Sequence, residues 1–181
     1  ATQNLQKAAE IAGGKFVFNS KVDRITTQAG RVSGVILADG RMIDAPVIVN
    51  AAGPHSRKIN ALITDLEPTQ ITTRALRHES INLPVSKDFV NQYGGVITFD
   101  NDIGSYTRPD REGSIFLGSQ GTSFDNDGAV DPDDFNHDFT DTATEPLYRL
   151  AQRVPSLGIP NQIRGIVDLW DVTEDWIPVY D

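Results

Sequence analysis

The strongest constraint on the fold is a run of branched apolar residues, Val47-Ile48-Val49-Asn50, followed by the small residues Ala51-Ala52-Gly53-Pro54. An unbroken apolar run is typical of a strand that is buried on both faces. Helical periodicity resumes from about Ser56, so the order is strand, bend and helix. Small side chains admit a ligand to the backbone, and a helix N-terminus favours negative charge, which together suit a nucleotide. Taken alone, the residues favour a tight turn in which Gly53 serves only the backbone.

The residues before this run predict one helix followed by short strands. Apolar residues recur at helical spacing between Leu5 and Ala12, and Gly13-Gly14 supplies a C-terminal stop. Turns are predicted at residues 28–30 and 38–40, and the second contains the Asp-Gly pair that is typical of hairpins. The predicted strands of this part are residues 16–18, 22–27, 31–37 and 42–45.

The rest of the chain is predicted to be rich in strands around one helix. A turn at residues 109–113 joins two strands as a hairpin. The helix begins between Thr140 and Thr144, and Pro155 stops it. The predicted strands of this part are residues 71–76, 89–90, 96–99, 103–108, 115–119 and 163–170.

Two pairs of side chains are candidates for the lining of a binding site. Alternation along a strand places Tyr106 and Arg108 on one face, where a hydroxyl and a fixed cation can hold a carboxylate. The spacing alone favours a simpler interpretation, an exposed sheet face with an ordinary Tyr-Arg pair. Trp170 and Trp176 fit either core anchors or walls of a cofactor pocket, and core is the default for large aromatic side chains.

The sequence predicts no metal site. The histidines His55, His78 and His137 lack metal-ligand spacing, and the chain contains no cysteine. Aspartates cluster ahead of the predicted helix that begins between Thr140 and Thr144. Aligning Gly128 with the glycine of a calcium loop puts a serine first and Asp134 last, where the pattern requires an acid and a glutamate. We therefore interpret the cluster as a solvated loop.

Composition and charge narrow the classes of partner. The 181 residues carry a formal net charge of −9, and a negative surface repels the phosphates of nucleic acids. No apolar stretch approaches the roughly 20 residues that a membrane-spanning helix needs. We therefore expect neither a nucleic-acid partner nor insertion into a membrane.

Four segments of the chain together resemble the flavin-dependent amine oxidoreductases of the D-amino acid oxidase type. This group includes sarcosine, dimethylglycine and glycine oxidases and dehydrogenases. The most specific segment is residues 47–56, the apolar run and its bend. The other three segments are residues 8–40, residues 106–118 and residues 153–178. They occur in the order of the family and cover most of the chain.

The resemblance implies FAD as the cofactor. In such enzymes, the segment that matches Asn50-Ala51-Ala52-Gly53 runs beside the dinucleotide, and the residue that matches Val22 contacts the adenine through its backbone. The strand-rich part of the chain corresponds to a substrate-binding domain, whose sheet covers the flavin ring. Tyr106 and Arg108 then face the substrate: the hydroxyl of Tyr106 orients it and Arg108 binds its carboxylate.

The departures from the family imply a central fragment of a longer enzyme. The glycine-rich fingerprint of the family is absent, and its final flavin-contacting segment has no counterpart in this sequence. The expected fold class is α/β (α+β): part of a Rossmann-like FAD-binding domain, then a substrate domain on a largely antiparallel mixed sheet. The predicted division is a partial FAD-binding domain at residues 1–56, a substrate-binding domain at 57–164 and a return segment toward the FAD-binding domain at 165–181.

The implied reaction oxidises the carbon–nitrogen bond of a small-molecule amino acid or N-methylated amine. The cofactor carries the hard step, and the protein orients the substrate. We expect a cytoplasmic parent enzyme. The fragment alone is expected to be inactive, and an apolar face that it leaves uncovered favours self-association. The alternative from a different class is a non-catalytic α+β module that binds a small anionic ligand.

Overall fold

The computed structural model describes residues 2–66, 71–93, 95–110, 113–120 and 128–179, with the backbone alone at Tyr93. The chain divides into two compact units, each with a sheet of its own. The first unit comprises Ala1–Ala52 and Ser56–Gln70, and the second comprises Gly53–His55 and Ile71–Asp181.

The first unit contains a three-stranded antiparallel sheet in the order β1-β2-β3. Its elements are α1 (Thr2–Ile11), β1 (Val22–Gln28), β2 (Arg31–Leu37), β3 (Met42–Asp44) and α2 (Ser56–Asn60). The turn between β1 and β2 places Ala29 and Gly30 at φ values of 51° and 75°, the left-handed region that hairpin turns use. The predicted helices and the two hairpins of this unit are therefore confirmed.

Two strand predictions in this unit are wrong. Residues 47–50 form no strand, and Val47 and Val49 are 70% and 82% exposed rather than buried. Residues 16–18 also form no strand, although their side chains are apolar. A strand requires a neighbour that pairs with its backbone N–H and C=O groups, and no strand of the described residues pairs with either segment. An apolar pattern indicates which side chains a strand would bury, but it does not show whether a second strand is there to pair with it.

The second unit is built on a five-stranded sheet in the order β5-β6-β7-β4-β8, and every pairing is antiparallel. The strands are β4 (Arg74–Pro84), β5 (Thr98–Asp100), β6 (Ser105–Pro109), β7 (Ser114–Ser119) and β8 (Arg164–Val172). The helices are α3 (Lys87–Tyr93) and α4 (Asp141–Arg153), and a 3-10 turn covers Gly53–His55. The expected combination of helices with a largely antiparallel sheet is therefore confirmed.

Helix α4 covers one face of this sheet. Its apolar side chains pack on alternate residues of the two central strands, because successive strand residues point to opposite faces. The buried members of this core are Ile81, Leu83, Ile115, Leu117, Ala143, Leu147, Leu150 and Leu157. The side chains between these positions point to the opposite face of the sheet.

Strand β4 is the longest strand and continues through polar residues that the sequence pattern did not predict as strand. Arg77 and Glu79 are buried beside the core and form an ion pair. Glu79 also accepts hydrogen bonds from Thr140, from its backbone N at 3.1 Å and from its Oγ1 at 2.7 Å. Arg77 Nε donates to the backbone oxygen of Asn136 at 2.6 Å. The pair thus fixes the loop that leads into α4.

The structure corrects one further prediction in the second unit and leaves another untested. Residues 89–90 lie in α3 rather than in a strand, since a two-residue apolar run fits a helix as well as a strand. The predicted domain boundaries at residues 56/57 and 164/165 stay a prediction. None of the helices in the described part of the chain has the length and apolar character that crossing a membrane requires.

Candidate functional site

The face of the five-stranded sheet opposite α4 contains a cavity of about 230 Å³. Residues of β4, β6, β7 and β8 line it, and those of β4 and β6 are alternate residues of their strands, as side-chain alternation requires. The lining residues are His78, Ser80, Tyr106, Arg108, Phe116, Ile166, Asp168, Leu169 and Trp170. The predicted shared face of Tyr106 and Arg108 is confirmed, and the cavity makes this face the candidate site.

Strand register sets the positions of Tyr106 and Arg108. Tyr106 lies opposite Gly118 of β7, which lies opposite Ser80 of β4, so the three residues form one row across the sheet. The Tyr106 hydroxyl oxygen lies 3.5 Å from Ser80 Oγ, the outer limit of a hydrogen bond. Arg108 lies opposite Phe116, and its Cζ lies 4.5 Å from the centre of that ring. The stacking orients the guanidinium group without neutralising it.

The charges of the cavity come from Arg108 and Asp168. No ion pair joins Arg108 to a carboxylate of the described residues. Asp168 Oδ1 accepts the backbone N–H of Leu169 at 2.8 Å. A guanidinium group without a carboxylate partner, held on an aromatic ring, is suited to bind the carboxylate of a small molecule.

His78 and Trp170 form an aromatic wall of the cavity. Their rings stack with centres 4.2 Å apart, and Trp176 meets Trp170 edge-on at 5.8 Å. Burial lowers the pKa of His78 to about 4, against the opposing effect of the Glu79 carboxylate, so the ring is neutral at pH 7. Trp170 and Trp176 are 39% and 43% exposed, so the default prediction that they are core anchors is wrong.

In the first unit, the side chain of Asn50 holds the segment of small residues in place. Its Nδ2 donates to the backbone oxygen of Ser56 at 2.9 Å and to Asn60 Oδ1 at 2.8 Å. Its Oδ1 accepts the backbone N–H of Ala52 at 3.1 Å. Asn50 therefore ties residues 50–52 to α2, and Ala51 remains exposed.

Gly53 and Val22 are the other residues that the resemblance assigns to the cofactor. Gly53 has a φ of 56°, which disfavours any residue with a side chain, and an added methyl group there would meet no atom within 4 Å. Val22 begins β1, is half-buried and pairs with Leu37. A segment of small residues and a glycine without a close neighbour each admit a ligand to the backbone. The cofactor roles of these residues stay a prediction.

The described residues contain no cluster of histidines and carboxylates that could hold a metal ion. His55 Nε2 lies 2.9 Å from Asp133 Oδ1, which is a pair rather than a ligand set. Asp125 and Asp127 of the acidic cluster lie outside the described residues.

Sequence reasoning missed three polar side chains of the cavity, His78, Ser80 and Asp168, and its apolar members Phe116, Ile166 and Leu169. His78 and Ser80 lie in the polar stretch of β4, where no apolar alternation marks a strand. Asp168 enters the cavity because β8 pairs with β4, with Asp168 opposite His78. Pairing between distant strands is not encoded in local periodicity, so no local signal could have found them.

The chain is similar to several proteins that are named as oxidases or dehydrogenases of amino acids. The D-amino acid dehydrogenase of Bradyrhizobium diazoefficiens is 42% identical over 60 residues, 33% of this chain and 14% of that protein. The L-proline dehydrogenase structure from P. horikoshii aligns with 92% of this chain and 41% of its own, with a TM-score of 0.69 and 19% identity. Glycine oxidase from Bacillus cereus aligns with 98% of this chain and 44% of its own, with a TM-score of 0.66 and 19% identity.

These likenesses confirm the expected fold, and this chain spans less than half the length of each of those proteins. The family model described as FAD dependent oxidoreductase (DAO) matches residues 1–180. Because this match extends over nearly the whole chain, the chain belongs to the DAO family of FAD dependent oxidoreductases.

Proposed function

We propose that the full protein is an FAD-dependent oxidase or dehydrogenase of amino acids or N-methylated amines. The observation that carries the proposal is the cavity on the open sheet face, where Arg108 has no carboxylate partner among the described residues. Membership of the DAO family supports the cofactor. The names of the similar proteins, D-amino acid dehydrogenase, glycine oxidase and L-proline dehydrogenase, support an amino acid as substrate.

Five of the lining residues have roles that follow from their chemistry. Arg108 binds the substrate carboxylate through paired N–H donors, and Phe116 behind it restricts its orientation. Tyr106 orients the substrate through its hydroxyl group. His78 and Trp170 supply an uncharged wall, because the His78 ring is neutral at pH 7. A neutral wall suits the apolar part of an amino acid.

Residues 22 and 50–53 contribute one flank of the cofactor site in this proposal. The segment Asn50-Ala51-Ala52-Gly53 borders the dinucleotide, and Val22 contacts the adenine through its backbone. Bound FAD would supply the oxidising chemistry, the removal of a hydride equivalent from the carbon beside the amine nitrogen. The residues of this chain bind and orient the substrate, and no acid–base pair is required of them if the amine binds in its neutral form.

The test compares Arg108→Ala with Arg164→Ala in the full-length protein. Arg164 is an exposed arginine of the same sheet that does not line the cavity, so it is the matched control. Arg108→Ala should raise KM for an amino acid by about 10- to 100-fold, the loss of a charge-assisted contact. An amine without a carboxylate should be affected little.

Two outcomes would contradict the proposal. Full-length protein without flavin absorbance, and without any gain of it when FAD is added, would favour the alternative of a non-catalytic module that binds an anion. Equal losses for Arg108→Ala with both substrates would remove Arg108 from carboxylate binding.

The proposal also includes the finer expectations for the parent and the chain. For the parent we propose the domain division at residues 56/57 and 164/165. We also propose a substrate such as sarcosine or dimethylglycine and a cytoplasmic location. For the isolated chain we propose self-association, which its exposed Val47 and Val49 support.

A further inference from the structure

Tyr106 lies directly against Gly118 on the open face of the sheet. A methyl group at Gly118 would overlap the Tyr106 ring and would lie 2.5 Å from its hydroxyl oxygen. Gly118 is buried in β7, and it is not among the described glycines with positive φ. Its backbone conformation therefore does not require glycine. Glycine is required because the Tyr106 ring occupies the space that a side chain would fill.

The two other glycines of the sheets whose added methyl group would overlap a neighbour differ from Gly118. At Gly34 and at Gly165, the methyl group would overlap a backbone oxygen of the adjacent strand. At Gly118 the three nearest atoms all belong to the side chain of Tyr106, which can move. A substitution at Gly118 should therefore displace Tyr106 and leave the sheet intact.

The bare backbone at Gly118 lets the tyrosine ring cross from β6 over β7 toward β4. There the hydroxyl oxygen lies 3.5 Å from Ser80 Oγ. On the other side, the ring of Phe99 lies 6.1 Å from that of Tyr106, centre to centre. The Tyr106 ring thus packs on the backbone of Gly118, lies beside Phe99 and has a polar contact with Ser80.

We infer that Gly118 and Ser80 are positioning residues that hold the Tyr106 hydroxyl against the floor of the cavity. This inference rests on the proposed function, in which that hydroxyl orients the substrate. A side chain at position 118 would raise the ring off the sheet and into the cavity of about 230 Å³. Misplacement of an orienting group by about 1 Å can reduce catalysis by about 100-fold.

The contact is tested first by thermal melts of the full-length protein, which do not depend on activity. Gly118→Ala should lower Tm in the natural background, because the methyl group displaces the ring. In a Tyr106→Ala background the same change should leave Tm unchanged or raise it, since the space is free and alanine is favoured over glycine in a strand. An equal fall of Tm in both backgrounds would overturn the inference.

The positioning role is tested by kinetics with an amino acid substrate. Gly118→Ala should reduce kcat/KM by about 10- to 100-fold while the flavin absorbance is retained. Ser80→Ala should reduce it less, and should have no further effect in a Tyr106→Phe background, where the hydroxyl is absent. Ser119→Ala is the matched control, because the Ser119 hydroxyl donates to the backbone oxygen of Gly104 at 3.2 Å rather than to Tyr106.

The outcomes separate this inference from the proposed function. Unchanged kcat/KM in Gly118→Ala, or equal effects of Ser80→Ala with and without the tyrosine hydroxyl, would overturn the inference alone. Natural protein that binds no flavin and turns over no amino acid would overturn the proposed function, and the orienting role of Tyr106 with it. The thermal melts would still decide whether the Tyr106 ring is what excludes a side chain at position 118.

Discussion

At the scale of single residues, His78 is a buried histidine stacked on Trp170, and burial lowers its pKa from 6.5 to about 4. Between these two values the unfolded chain binds a proton that the folded chain does not. The free energy of unfolding should therefore be highest above pH 6.5 and fall as the pH drops toward 4, by on the order of 3 kcal/mol from this group. Urea melts across this range measure the slope.

The variant that isolates this effect is His78→Phe, which keeps an aromatic ring against Trp170 and removes the titrating group. Its stability should vary less with pH than that of the natural protein between pH 6.5 and 4. His137→Gln, at an exposed histidine, is the control and should keep the natural slope. A His78→Phe profile as steep as the natural one would contradict the prediction.

Asn50 is the residue whose side chain holds the segment of small residues. Asn50→Ala removes three hydrogen bonds, to Ser56, Asn60 and Ala52, and should destabilise the first unit by about 1–3 kcal/mol. It should also weaken flavin retention in the full-length protein, measured by absorbance after gel filtration. Asn4→Ala, in an exposed part of α1, should change neither quantity. Retention equal to that of the natural protein would indicate that the segment serves only the turn.

At the scale of elements, the buried pair of Arg77 and Glu79 on strand β4 bonds the loop that leads into helix α4. Glu79→Gln leaves the Arg77 charge buried without its partner, so the free energy of unfolding should fall by about 3–5 kcal/mol. Glu145→Gln is the control, because it breaks an exposed pair with Arg149 and should cost less than about 1 kcal/mol. Chemical denaturation measures both losses, and equal losses would contradict the prediction.

An element could be predicted from the sequence when neighbouring residues alone specify it, as they do for a turn or an amphipathic helix. The hairpin of β1 and β2 was predicted because Gly30 and its neighbours specify a turn. Helix α4 was predicted because its apolar residues recur at helical spacing and Pro155 follows it. The strand at residues 47–50 was wrong, because β-branched residues indicate a preference and not a pairing partner.

The candidate site was predictable only in part for the same reason. Tyr106 and Arg108 share one strand, so alternation alone places them on one face. Ser80 and Asp168 join them through pairing between strands that lie far apart in the sequence. The polar residues of β4 gave no strand signal because they interrupt the apolar alternation, and Arg77 and Glu79 meet their partners only after folding. Local patterns therefore identified part of the site and missed the rest.

At the scale of the whole molecule, exposed apolar side chains of the first unit predict the behaviour of the isolated chain. Val47 and Val49 are largely exposed, and so are the apolar side chains of residues 16–18. The chain should therefore associate as its concentration rises, measured by light scattering after gel filtration. Val49→Lys should reduce this association. Gln3→Lys adds the same charge without removing an apolar group and should not, and equal effects of the two would point to net charge instead.

The division of β4 between the two faces of its sheet also has an evolutionary consequence. Residues that point toward α4 maintain the fold, and their neighbours one position along point into the cavity. Under the proposed function, exchanges at His78 or Ser80 should alter substrate preference while Ile81 and Leu83 preserve the core. Enzymes with very different sequences and substrates can in this way retain a common architecture.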